Sequence, residues 1–206
     1  MTLLIKILFL LFTTTTLLSG CSSQPKEVSK QLLNQDITQR NQQLTALIDW
    51  QISGKIAFIQ DKKRESASIQ WHYQESKQKQ RLDLTTYLGI NVLHLQSNHN
   101  IHTIKVDGSE HQGTNLDELI FSLTGLILPT EALTYWLKGL PYQTTDQFTY
   151  SKQTQLPTTL TSRYNHDIWQ ISYDNYQVIN KYRLATKFTI RQNNLLIKIA
   201  IKQWTL

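Results

Sequence analysis

WQISGKIAFIQDKKRESASIQWHY, residues 50–73, carries two runs in which apolar and polar residues alternate around a charged turn. Trp50, Ile52, Gly54, Ile56 and Phe58 share one face of the first run. Ala67, Ile69, Trp71 and Tyr73 share one face of the second, against Ser68, Gln70 and His72. A period of two belongs to half-buried strands, whose successive side chains point to opposite sides of the pleat. Asp61-Lys62-Lys63-Arg64 reads as the turn between them, so the pair is an antiparallel hairpin.

Downstream the same period returns. Leu82 and Leu84 alternate with Asp83 after Gln78 to Gln80, and residues 92–96 and 101–106 continue the pattern around an Asn/His turn at 98–100. Two helices then interrupt. Thr114 or Asn115 caps the first, Asp117 and Glu118 suit its positive start, and Gly125 ends it; Leu116, Leu119, Ile120 and Leu123 form its apolar stripe. Pro129-Thr130-Glu131 opens the second, lined by Leu133, Trp136 and Leu137 and closed by Gly139 and Pro141. Strands resume over residues 148–156, then with Trp169, Ile171 and Tyr173 on one face. The last runs from 195 to 204, with Ile197, Ile199 and Ile201 against Lys198, Ala200 and Lys202. Upstream, Leu33, Ile37, Leu44 and Ile48 recur at helical spacing within residues 28–48, an amphipathic helix that needs a surface to lie on. The class is mainly β with helices (α+β): a long, curved antiparallel sheet with about three helices packed on one side or plugging it.

The chain begins with an apolar segment, residues 7–12, preceded by Lys6 and interrupted by four threonines, 13–16. That is too short for a transmembrane helix and fits a secretory signal over residues 1–20. It ends in Leu18-Ser19-Gly20-Cys21, which resembles the bacterial lipobox. Cys21 is the only cysteine, so neither an intramolecular disulfide nor a multi-cysteine metal site is available. The resemblance implies a diacylglyceryl thioether and an N-acyl group on Cys21. Two or more chains anchor stably, so the mature protein is tethered to a membrane through residues 21–26 without spanning it. Ser22 and Ser23, where an aspartate would signal inner-membrane retention, point to the outer membrane. Residues 27–206 then make a single domain.

The 206 residues suffice for one sizeable core, and 17% charged residues argue against a disordered or coiled-coil chain. Nine Tyr, six Phe and five Trp supply aromatic mass. Without Lys6, 20 basic residues face 15 acidic ones, a net charge of +5 that suits anionic lipid or an acidic partner. No nucleic-acid-binding motif is present. His94, His99, His102 and His111 show no metal-ligand spacing, and no nucleophile elbow, P-loop or Rossmann glycine pattern points to an enzyme.

These residues resemble the LolB-type family of outer-membrane lipoprotein receptors. The likeness runs from Trp50 and Gly54-Lys55 through Ala67-x-Ile69-x-Trp71 and Leu88-Gly89 to Gly125-x3-Pro129-x3-Leu133-x2-Trp136-Leu137-x-Gly139-x-Pro141. It ends with Trp169-x-Ile171-x-Tyr173 and Trp204. Tyr87 stands where the family commonly has proline, Ile168 where glycine often precedes the tryptophan, and Ala185 near a usual proline. The resemblance implies an incomplete barrel of about eleven strands enclosing an apolar cavity. It implies a monomeric, cofactor-free receptor and no enzyme, lipid-anchored to the outer membrane and facing the periplasm. Its partners are a soluble LolA-type carrier of similar fold, acylated lipoprotein cargo and outer-membrane phospholipid, with no nucleic acid. Candidate cavity walls are Ile52, Ile56, Ile69, Trp71, Leu82, Leu84, Trp136 and Ile199. Tyr87, Leu88, Gly89 and Ile90 form the candidate membrane-insertion loop, with Leu88 at its tip; the other reading of Leu88 is a lid folded over the cavity mouth. Lys62, Lys63, Arg64, Lys77, Lys79 and Arg81 form a candidate basic docking surface. The same alternation also suits an outer-membrane lipoprotein that is a structural or assembly scaffold with no cavity.

Overall fold

Residues 50–73 form the hairpin that their alternation predicts, and it sits at the centre of the sheet. The computed structural model describes residues 36–86 and 88–206. Their strands are β1 (Asp49–Gln60), β2 (Lys63–Gln74), β3 (Lys79–Thr85), β4 (Asn91–Asn98), β5 (Ile101–Val106) and β6 (Ser109–Gly113). After the central helices come β7 (Gln147–Tyr150), β8 (Pro157–Tyr164), β9 (Asp167–Ile179), β10 (Tyr182–Gln192) and β11 (Leu195–Thr205). The helices are α1 (Ile37–Thr45), α2 (Leu116–Thr124) and α3 (Thr130–Trp136).

The strand order β6-β5-β4-β3-β2-β1-β11-β10-β9-β8-β7 is two meanders joined where the first and last strands pair. Each connection within a meander is a hairpin. The single long one, from edge strand β6 to edge strand β7, carries α2 and α3 across the concave face. An open sheet with its helices in the gap is the result.

Paired left-handed residues make the tight turns: Asp61 and Lys62 at φ of 48° and 67°, Asp107 with Gly108, and Asn165 with His166. Such turns match the right-handed twist of the strands that they join. Bulges at Ser53/Gly54, Leu84/Thr85 and Thr149/Tyr150 add bend. At Gly54 a Cβ would lie 2.1 Å from the Ala200 carbonyl oxygen, so only glycine lets β1 and β11 approach there.

Several expectations are corrected. The described part of the upstream helix ends at Thr45, and Ile48 lies outside it, 41% exposed. Leu47 and Trp50 turn inward instead, because Arg40 and Lys138 fix the helix end by hydrogen bonds. Lys63 and Arg64 belong to β2, and the turn is only Asp61-Lys62. The strand expected over 148–156 stops at Tyr150, and β8 follows a loop in which Ser151 accepts Gln155 N–H. β6, β8 and β10 show no clean alternation, so sequence reading does not place them. Cys21, the leader, the tether and residues 28–35 lie outside the described residues.

Candidate functional site

The concave face divides into a filled part and an open part. Aromatic rings fill the first. Trp50 meets Trp71, Tyr73 and Trp204 at centroid distances of 5.1, 5.4 and 5.6 Å. Trp136 packs on Trp169 at 6.0 Å and on Tyr164 at 6.5 Å, closing the β8–β9 side. Asp146 holds this packing from below, accepting from Tyr142 N–H at 2.8 Å and from Trp136 Nε1 at 3.4 Å.

Beside it lies an apolar cavity of about 560 Å³, between the upper halves of β1–β5, β10 and β11, α2 and the segment leading to α3. Ile56, Ile69, Trp71, Leu82, Leu84 and Ile199 line it, as the alternation suggests. Two expected wall residues do not. Ile52 and Trp136, each fully buried, belong to the packed aromatic region, because Ile52 lies two same-face positions nearer the closed end than Ile56 and α3 presses Trp136 onto β9. Leu93, Leu95, Ile104, Ile120, Leu126 and Leu128 are among the other wall residues. Those on β4 and β5 alternate legibly; those on α2 and the 126–128 segment read as ordinary helix and loop residues.

The cavity has a polar floor. Trp71 Nε1 donates to Gln80 Oε1 at 3.0 Å, and Thr130 Oγ1 donates to Asp117 Oδ1 at 2.6 Å. Gln80 and Thr130 also border a second space of about 520 Å³ lined by Glu75, Lys79, His102, Asp117 and Glu131. Asp117 therefore does more than suit a helix start: it ties α2 to α3 and, through the Tyr164 hydroxyl at 2.9 Å, to β8. Burial and the Asp117 hydrogen bond push the Tyr164 phenol well above its usual pKa.

The other end of the cavity opens beside Asp61, Lys63 and Glu65. Strand register puts the β1–β2, β3–β4 and β10–β11 turns at this same end. In the β3–β4 turn Gly89 N–H donates to Thr86 O, Thr86 N–H donates to Ile90 O, and Gly89 has φ of 80°. Leu88 is 82% and Ile90 62% exposed. Both stand in solvent, so Leu88 is not folded over the mouth. Tyr87 lies outside the described residues.

The six basic residues do not make one surface. Lys62, Lys63 and Arg64 sit at the open end, whereas Lys77 and Lys79 sit at the far end of β2, eleven residues or roughly 35 Å away. Arg81 is engaged with Asp83 at 2.8 Å. Asp83 also pairs with His94; burial would raise its pKa, and these hydrogen bonds instead hold it below the carboxylate range.

Two buried cations escape a reading by alternation. Arg40, on α1, donates to the carbonyls of Gly139 at 3.1 Å and Lys138 at 3.0 Å, capping the segment after α3. Lys138 Nζ donates to Leu47 O at 3.0 Å. Burial lowers the pKa of both. They lock α1 and α3 together over the aromatic region.

Comparison with known proteins gives a consistent result. The family model described as outer membrane lipoprotein LolB matches residues 48–204. The chain is 32% identical to the outer-membrane lipoprotein LolB of Aeromonas salmonicida, over 92% of each chain. It is 33% identical to that of Vibrio cholerae, over 92% of this chain and 91% of the other. Among solved structures, a LolA superfamily protein from Nitrosomonas europaea superposes with a TM-score of 0.51 at 8% identity, covering 81% of this chain and 93% of that one. This likeness is one of fold.

Proposed function

Because the chain belongs to the LolB family of outer-membrane lipoproteins, we propose that it receives acylated lipoproteins from a soluble LolA-type carrier and inserts them into the outer membrane. It works there as a monomer, held by acyl groups on Cys21 and facing the periplasm, and it performs no chemistry on its cargo.

One observation carries the reading: an apolar cavity opens at the same end of the sheet as a turn that holds Leu88 and Ile90 in solvent. Exposing an acyl chain to water costs about 0.8 kcal/mol per CH₂, on the order of ten kcal/mol for a chain of ordinary length. A lined cavity removes that cost during transit. Transfer then needs no energy source, only tighter binding here than in the carrier and a still better solvent in the bilayer. A scaffold with a filled concave face would have no use for such a void.

The test is transfer of a purified lipoprotein from a carrier to this protein, followed by addition of liposomes. Cargo should move to the protein and then into the liposomes without nucleotide. Native-state bis-ANS fluorescence should be displaced by a lipopeptide. A protein that neither binds bis-ANS nor takes cargo from the carrier would overturn the proposal.

A further inference from the structure

The sheet has an outer face, opposite the cavity, on which the alternate residues of β1, β2, β10 and β11 stand. Register lines them up in rows across the four strands. Arg191, Leu196, Ile59 and Arg64 form the row nearest the open end, and Thr189, Lys198, Ala57 and Ser66 the next. Lys187, Ala200, Lys55 and Ser68 follow. Five of these residues are cations, all exposed, and none is a carboxylate. Arg64, Arg191, Lys187 and Lys198 take part in none of the ion pairs among the described residues, which are Arg81–Asp83, His94–Asp83 and Lys105–Glu110. Lys62 extends the patch onto the β1–β2 turn, where Asp61 is occupied by Asn194 Nδ2 at 2.8 Å.

From this arrangement we propose that the outer-face cations at the open end, Lys62, Arg64, Arg191 and Lys198, form a docking surface for anionic phospholipid headgroups, engaged when Leu88 and Ile90 enter the bilayer. The geometry sets the range. Neighbouring strands lie about 4.8 Å apart, so the β3–β4 turn stands about 10 Å to the side of the β1–β2 turn. Because Thr85 pairs with Ser68, it also ends about 10 Å short of that turn along the strands, roughly level with the first two rows. Successive rows are about 7 Å apart along the strands. With Leu88 at the membrane surface, the first two rows lie within roughly one Debye length of the headgroups at physiological salt. The pairing of an apolar tip with nearby cations favours a lipid surface over an acidic protein, because apolar insertion and headgroup attraction add in membrane association. The result is an orientation: open end down, outer face of β1 and β11 leaning onto the membrane. This deepens the proposed delivery role and rests on it for its use in the cell, while the binding itself is testable alone.

The test uses the full chain carrying Ile90→Cys labelled with an environment-sensitive dye. It is placed on phosphatidylcholine vesicles with or without phosphatidylglycerol, and the ratio of inserted to solvated turn is read from emission. Each cation near an anionic surface favours docking about fivefold. Arg64→Gln/Arg191→Gln/Lys198→Gln should therefore lower the ratio about a hundredfold on anionic vesicles and leave it unchanged on neutral ones. Raising salt should erase the preference of the parent protein for anionic vesicles, a result independent of whether the triple variant folds. Equal docking of variant and parent on anionic vesicles overturns the proposal, as does a salt-insensitive parent. Normal docking with lost uptake from the carrier assigns the surface to an acidic protein and also overturns it. Failure of bis-ANS displacement with intact docking would instead count against the cavity.

Discussion

Leu82→Trp tests whether the space beneath α2 is a ligand cavity or loosely drawn core. Leu82 lines the cavity and touches both apolar clusters. A 150 Å³ protein cavity accommodates benzene, which sets about 25 Å³ per carbon. On that scale the 560 Å³ here hold about 22 carbons, enough for one long acyl chain and short of three. Tryptophan carries six more side-chain heavy atoms than leucine and should reduce the capacity to about 16 carbons. The assay is displacement of bis-ANS by single-chain acyl peptides of increasing length. Affinity should climb about fourfold per CH₂ until the space is full. It should then level off, because the next methylenes would meet Gln80, Thr130 and Asp117. The variant should level off about six carbons earlier, with stability to urea within about 1 kcal/mol of the parent. Ile171→Trp, in the packed region at 1% exposure, should instead lose about 1–3 kcal/mol. An unchanged plateau, or a Leu82→Trp protein as damaged as Ile171→Trp, would refute the reasoning.

Four further outcomes follow from the same geometry. Leu88→Glu should leave thermal stability and cargo uptake intact and impair delivery to liposomes, since the side chain stands 82% exposed; normal delivery would sink the role given to the turn. Trp136→Ala should cost about 3–5 kcal/mol in urea titration, with little change in the chain-length plateau, because Trp136 supports the fold and does not line the cavity. Burial, reinforced by the hydrogen bond to Glu131, pushes the Tyr142 phenol up to about 12, above the ordinary value near 10. Its contribution to stability is whole below pH 10 and lost as pH rises through about 12, so Tyr142→Phe should flatten that part of the stability–pH curve. Amides of α2 should exchange faster than those of α3 and slow more on loading with acyl peptide. The reason is that, beyond the ties of Asp117 to Thr130 and Tyr164 in its first turn, α2 packs on the small cluster of Leu95 and Ile104, whereas Arg40, Lys138 and Asp146 clamp the other helix.

Alternation made the central strands legible because each has one wet and one dry face. Residues 50–73 read directly as β1 and β2, and the helix caps at Asn115 and Gly125 are where their chemistry puts them. β10 was not legible: its run Arg183, Leu184, Ala185 and Thr186 is buried throughout, with Arg183 donating to Thr154 O, so the period of two vanishes. Within the site, the sequence distinguished inward from outward but not cavity from core. Ile52 and Ile56 share one face of one strand, and four residues decide which meets a tryptophan and which meets empty space. The aromatic side chains mostly fill the other part of the concave face; of the five tryptophans only Trp71 reaches the cavity.

That division has an energetic meaning. An open apolar space of this size leaves its walls without the packing partners that a filled core would supply. Burying a sixteen-carbon acyl chain returns about 13 kcal/mol. On the proposed role, an acyl ligand offsets that missing packing, and until it binds the aromatic region carries most of the fold. This explains why the strongest tertiary ties lie on the filled side. Trp50, Trp136 and Trp169 are almost wholly buried there, and Arg40 and Lys138 accept the cost of burial to fasten α1 and α3 over them. On the open side α2 is tied at its first turn by Asp117, and beyond it rests on a few aliphatic contacts and ends at a left-handed Gly125. On the proposed role, a cargo with three chains exceeds the empty capacity, so the cavity would have to widen to hold it, and the wall formed by the second half of α2 is the one that can yield without unfolding the rest.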